Sequence, residues 1–189
     1  YDWRETHPLG KAEWVKLFGV IYGKQKMASI YFNSIEKEYL ELTKRAKKSS
    51  VSKEVMSGNV MGDFWYSPAG ESYNAHIFKD ANCFYRFAST EGTGSLSMTL
   101  EEVLTKNGKA FFWLNPGAKS LRELAQINPK AKFFDAFKAR EVYCYSNNSN
   151  FFWEMGAVQP HKVLSDIIQI THPELNLKDK LYFYSKLNE

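Results

Sequence analysis

The sequence is poor in the residue types on which most site chemistry depends: 189 residues contain 2 cysteines and 4 histidines. Cys83 and Cys144 sit far apart, each inside an aromatic, strand-like stretch, with no CxxC spacing and no histidine cluster nearby. They read as buried free thiols rather than as a disulfide or a metal pair. Long apolar runs are also missing. No stretch approaches the roughly 20 residues that cross a bilayer, and Tyr1-Asp2-Trp3-Arg4-Glu5 opens the sequence without a secretory hydrophobic region. There is no internal repeat, no low-complexity stretch and no Pro/Gly/Ser linker. Charge of one sign is scarce as well: 25 Lys+Arg stand against 21 Asp+Glu, a net +4. The local excess lies in Lys44-Arg45-Ala46-Lys47-Lys48, which suits the C-terminal end of a helix, where cations favour the macrodipole. Nucleic acid is therefore not expected as a partner.

What the sequence has is aromatic and apolar bulk: 16% aromatic residues, with 5 Trp, 11 Tyr and 14 Phe, in a chain that is 44% hydrophobic. That supports a real core in a chain of one-domain length. The first segment reads as a helix from Pro8, with Trp14, Leu17, Phe18, Ile21 and Tyr22 on one stripe and Gly23 as its stop. A longer helix follows, carrying Met27, Tyr31, Ile35, Tyr39, Leu42 and Ala46 on one face. The pattern then alternates. Short apolar runs near 51–57, 84–88, 110–114 and 141–146, with a weaker one at 181–184, are separated by helical segments near 72–79, 100–106, 121–137 and 160–170. Thr99 with Glu102 and Ser120 with Glu123 have the spacing of capping boxes. Strand–helix alternation of this kind predicts right-handed crossovers and an α/β fold: a Rossmann-like three-layer αβα lobe with a mainly parallel sheet, preceded by a helix that connects no two strands.

In such a sheet ligands bind beyond the carboxyl ends of the strands, here the expected loops 58–69, 89–97, 115–119 and 147–155. These offer Trp65, Tyr66, Phe151, Phe152 and Trp153, with Asn59, Ser67, Thr93, Ser95, Asn115, Asn147, Asn148 and Asn150 as polar handles. Aromatic faces with amides and hydroxyls suit a sizeable, partly apolar ligand. Catalysis is not indicated. His7, His76, His161 and His172 fall in helices or beside prolines, and no nucleophile elbow is present. The turn Gly92-Thr93-Gly94-Ser95 lacks the third glycine of a dinucleotide fingerprint, since Ser97 stands there. No metal ligand set and no cofactor are expected. Two alternatives stay open: a small nucleotide- or phosphate-using α/β enzyme holding phosphate at that turn, and an interaction module with an aromatic face.

Four strings, in order, carry a resemblance: Pro8-Leu9-Gly10-Lys11-Ala12-Glu13-Trp14; Gly62 through Tyr73, with Trp65-Tyr66-Ser67-Pro68-Ala69-Gly70 at its centre; Thr93-Gly94-Ser95-Leu96-Ser97; and Phe152-Trp153-Glu154 on through Asp166 to Leu175. The chain resembles the helical-backbone (class III) periplasmic substrate-binding proteins of ABC importers for iron compounds, of siderophore, haem or cobalamin type, in a Bacteroidetes-like branch. That resemblance implies two α/β lobes joined by a long helix. Residues 1–24 would be the inter-lobe helix and 25–189 the C-terminal lobe, the N-terminal lobe and export signal lying outside this sequence. It implies a metal chelate as ligand, held by Trp65 as aromatic platform with Tyr66, Ser95, Asn115 and Trp153. It also implies an ABC permease in the inner membrane as partner and a periplasmic location, free or lipid-anchored. The family's permease-docking carboxylate falls at Asp80-Ala81-Asn82-Cys83, where Asn82 replaces the glutamate and Asp80 is the nearest substitute.

Overall fold

The computed structural model describes residues 5–145, 150–177 and 180–189. Two short helices, α1 (Pro8–Glu13) and α2 (Val15–Ile21), replace the single opening helix, with Trp14 as the joint between them. The chain reverses at Gly23 and α2 packs back along α3 (Gln25–Ala46). Gly19 sits at that contact: a Cβ there would lie 2.5 Å from the Ala28 Cβ, so the two helices approach as closely as the missing side chain allows.

The chain then enters the α/β pattern with β1 (Glu54–Ser57), β2 (Asn59–Met61), β3 (Phe64–Pro68), α4 (Tyr73–Asp80), β4 (Phe84–Tyr85), β5 (Ser95–Met98), α5 (Leu100–Asn107) and β6 (Phe112–Leu114). It continues through α6 (Leu121–Ile127), a 3-10 turn at Pro129–Phe133, α7 (Asp135–Lys138), β7 (Val142–Tyr145), α8 (Phe152–Met155), α9 (Pro160–Thr171) and β8 (Tyr184–Lys186). The main sheet is five-stranded in the order β4-β1-β6-β7-β8. Its first four strands are parallel and β8 runs antiparallel to β7. The path from β1 to β4 and the path from β4 back to β6 step in opposite directions. Right-handed crossovers therefore put α4 and α5 on opposite faces. α4, α9 and α3 pack into one layer; α6, the 3-10 turn and α7 form the other, with α7 against β6. This is the expected three-layer lobe with a mainly parallel sheet. Local signals explain its starts: Thr99 accepts from the Glu102 amide while Glu102 accepts from the Thr99 amide, a complete capping box. Ser120 caps α6 in the same way, but Glu123 reaches the Lys119 amide instead.

Two segments expected to be loops are not. β2, β3 and β5 form a separate antiparallel sheet of three strands, with a tight reversal at Gly62-Asp63. These strands are only three to five residues long, and β3 opens with three consecutive aromatics, so no alternating period can be read from them. Gly58 lets β1 run directly into β2: it holds φ 98°, and a Cβ there would lie 1.8 Å from the Tyr66 carbonyl oxygen. The small sheet seals one end of the core. Trp65, Trp113 and Phe134 pack with ring centroids 5.2–5.4 Å apart. Both indole N–H groups are satisfied: Trp113 donates to the Gly58 carbonyl at 2.8 Å and Trp65 to the Ser67 hydroxyl at 2.8 Å, which in turn donates to the Ser57 carbonyl at 2.9 Å.

The opposite edge is closed by a clasp that nothing in the pattern announces. Asp166, on α9 and 1% exposed, accepts the backbone N–H groups of Tyr182, Phe183 and Tyr184 at 2.8, 2.6 and 2.9 Å. Burial pushes its carboxyl above the ordinary range, and the three amide hydrogen bonds pull against that. The start of the last strand is thereby tied to α9. Cys83 and Cys144 are both unbridged, half-buried and buried respectively.

Candidate binding surface at the carboxyl edge of the sheet

Trp65 is not an aromatic platform. It is 0% exposed, wedged between Trp113 and Phe134. Alternation along β3 explains the difference. Trp65 and Ser67 point into the core, whereas Phe64 and Tyr66 point out, so a side chain expected on a loop takes the inward register of a strand. Tyr66 is 38% exposed and pairs with Asn59 on β2 and Ser97 on β5. Ser95, exposed, begins β5 opposite Pro68. Asn115 follows β6 in a left-handed conformation, φ 58°, with its amide buried beside the Tyr184 hydroxyl. The Asn59 amide donates to the Pro116 carbonyl at 2.7 Å and ties the small sheet to this turn.

Trp153 holds an open position, 62% exposed on α8. It belongs to an aromatic ledge at the end of β7. Phe152 stacks on Tyr145 at 3.6 Å and 16°, and the Trp153 ring stands edge-on to both, at 5.4 Å from Tyr145 and 5.5 Å from Phe152. Phe151 beside it is 70% exposed and left-handed, φ 56°, after a left-handed Asn150, φ 48°. The Asn150 amide donates to the Tyr182 carbonyl at 2.5 Å and holds this corner. Two successive non-glycine residues in that region carry backbone strain of about 1 kcal/mol or more each, which persists where the surroundings over-determine it. Asn147 and Asn148, expected as polar handles here, lie outside the described residues. Tyr73, at the start of α4, donates to the Gly156 carbonyl at 3.3 Å and joins the ledge to the helix layer. Burial pushes the Tyr145 phenol up to about 12, so it stays protonated and can donate. Tyr145 and Tyr73 escaped the sequence reading; a tyrosine ending a strand and one opening a helix carry no signal apart from position.

Three of the five expected ligand residues thus face solvent at this edge, Tyr66, Ser95 and Trp153. Asn115 lies beneath the surface and Trp65 inside the core. The glycine-rich turn has its own use: Gly92 donates to the Glu71 carboxylate at 3.0 Å, and the Gly92 and Gly94 carbonyls accept from Glu71 and Ala69. A carboxylate holds the place a phosphate would need, and the next helix start is taken by Thr99 and Glu102. The Gly92 amide is therefore already occupied. Asp80 is also engaged, its carboxylate accepting the Tyr39 hydroxyl at 2.6 Å. Asn82, φ 57°, donates to the Ala46 and Ser49 carbonyls and caps the end of α3. Asp80 is therefore an internal partner, half-buried, rather than a free surface charge. Among the described residues no three His, Cys, Asp or Glu side chains gather as a metal cluster, and none of the helices is long and apolar enough to cross a membrane.

A mainly parallel sheet with helices on both faces is a fold that this chain shares with solved periplasmic binding proteins. The chain matches a TroA-like periplasmic binding protein FepB from Veillonella parvula at TM-score 0.73 and 12% identity, covering 95% of this chain and 61% of that one. It matches heme-bound IsdE of S. aureus at TM-score 0.66 and 15% identity, covering 88% and 66%. The periplasmic heme-binding protein RhuT from Roseiflexus gives TM-score 0.72 at 11% identity, covering 89% and 64%. By sequence the chain is similar to two uncharacterized lipoproteins of Methanocaldococcus jannaschii. One is 30% identical over 99% of this chain and 45% of its own length, the other 25% identical over 99% and 49%. The chain thus spans about half the length of the curated relatives it matches. No protein-family model matches it.

Proposed function

We propose that the chain is the C-terminal lobe of the substrate-binding component of an ABC importer, one that captures an iron–siderophore, haem or corrinoid in a cleft between two lobes and hands it to a permease. The ledge carries this reading: Trp153 and Phe151 on it, and Tyr66 on the small sheet, are exposed in a fold shared with proteins named for iron and heme. Flat aromatic faces with few charges suit a large, partly apolar chelate. The apolar tip of α2 and α3 supports the missing half. Phe18, Val20, Ile21, Tyr22, Met27 and Ile30 are each more than half exposed, far more than a finished surface presents on one patch, and the relatives extend to about twice this length. The N-terminal lobe of the same protein is the occupant that fits. On this reading α3, 22 residues and about 33 Å long, is the backbone helix. It reaches from the core of this lobe to the other, with α1 and α2 folded against it. The lipoprotein names of the relatives favour an exported, membrane-anchored protein.

The test is tryptophan fluorescence quenching of the two-lobe protein by a panel of ferric siderophores, haem and cobalamin. One panel member is expected to bind, and Trp153→Ala to weaken it by a little over 1 kcal/mol, the worth of one stacking contact. Silence across the panel overturns the metal-chelate assignment, and unchanged affinity in Trp153→Ala removes the ledge from the site.

A further inference from the structure

Away from the ledge, two of the four histidines meet. His7, exposed just before α1, and His76, half-buried in α4, have imidazole centroids 5.6 Å apart with the rings inclined at 66°. Their helices pack directly. His76 Nδ1 lies 2.9 Å from the Ser72 carbonyl oxygen. A carbonyl can only accept, so Nδ1 carries the proton and Nε2 keeps its lone pair. A backbone carbonyl orienting the far nitrogen in this way is the usual support of a metal-binding imidazole. The Glu5 carboxylate adds negative charge on the same segment, accepting the His7 backbone N–H at 2.9 Å. A metal–nitrogen bond of about 2.1 Å puts an imidazole centroid about 3.2 Å from the ion, so two such ligands at a tetrahedral angle have centroids about 5.2 Å apart. The observed 5.6 Å is within about 0.4 Å of that value, and His7 is exposed and so has room to reorient.

We propose that His7 and His76 form a two-imidazole site for a divalent first-row transition ion of the Ni2+, Cu2+ or Zn2+ kind, pinning the segment before α1 to α4. No third protein ligand joins the pair among the described residues. The remaining positions are left to water or to a donor carried by another molecule, as in exchangeable rather than closed structural sites. The other candidate ligands do not compete. His161, on α9, and His172, just after it, are buried and face Glu38 and Glu174, and burial pushes the Cys83 thiol up to about 12, keeping it protonated. The site does not rest on the assignment of the cleft ligand.

Titration of the tag-free protein with Ni2+ and Cu2+ at neutral pH, followed by calorimetry and by electron paramagnetic resonance of the copper form, tests it. Expected are saturable binding of a single equivalent and nitrogen splitting from two imidazoles. His7→Ala and His76→Ala should each weaken binding on the order of tenfold or more, with His161→Gln as the unchanged control. No saturable binding, a spectrum with one nitrogen, or a loss confined to one of the two variants overturns the proposal. The nitrogen count on the unaltered protein stands even where a variant folds poorly.

Discussion

Helices α9 and α3 carry the same kind of amphipathic pattern and meet opposite fates. α9 buries ten of its 12 residues between α3, α4 and the sheet. α3 buries seven of 22, and of these Tyr39, Leu42 and Ala46, all in its second half, join the main core. Its first half is covered along one side by α2 and ends at an apolar tip. Periodicity shows that a helix has a face to bury; it does not show whether the covering surface belongs to the same stretch of chain. Where α9 ends the core is closed, and where α3 begins it is open.

The closed side should break hardest. Asp166→Ala leaves three backbone donors buried without an acceptor, and should cost about 3–5 kcal/mol in urea unfolding, the scale of a broken buried charge network. A loss below about 1 kcal/mol would mean that β8 is held by its ladder to β7 alone. Ile167→Ala, on the same helix and 0% exposed, should cost about 2–5 kcal/mol through the cavity it leaves.

A smaller effect separates the two helices at their contact. His161 on α9 lies with Nε2 3.8 Å from the Glu38 carboxylate on α3, and Lys162 faces the same carboxylate at 3.6 Å. Burial holds the His161 imidazole below its ordinary 6.5, the Glu38 charge opposing and Lys162 assisting. A depressed folded value means that the neutral ring is favoured in the fold. Its contribution to stability is complete above pH 6.5 and is lost as pH falls through the lower folded value. Unfolding free energy measured across pH 7 to 5 should therefore decline, and His161→Gln should flatten that decline. An identical slope in the variant would place the titration elsewhere.

The layers of the lobe were legible because β6 is a compact apolar run and β7 and α9 have clear periods, and the Thr99–Glu102 box was legible because its two hydrogen bonds are local. The binding edge was not. Trp65 and Trp153 look equivalent as tryptophans in predicted loops. What separates them is the inward register of β3 against the left-handed corner at Asn150 and Phe151, and both depend on pairings distant in sequence. The Asp166 clasp was hidden for the same reason. Its partners lie 16 to 18 residues on, and a lone aspartate on an apolar helix looks like an exception to the pattern.

The smallest effect bears most directly on the contrast between the helices. Ile21 and Ile30 are 64% and 62% exposed, so replacing either by serine in this chain removes little apolar contact. The unfolding free energy should move by less than about 0.5 kcal/mol, the ordinary range for surface positions. If the tip is where an N-terminal lobe packs, the same substitutions in the two-lobe protein leave a hydroxyl in an apolar contact and discard buried area. Each side chain is worth about 1.5–3 kcal/mol when fully buried, so the pair should loosen the lobe contact and raise protease cleavage between the lobes. A null result in both forms would mean that the tip stays open in the whole protein and that α3 does not carry the second lobe. A loss in both would mean that the tip is already covered here, by a second copy of the chain, and sedimentation of the unaltered chain would show a dimer.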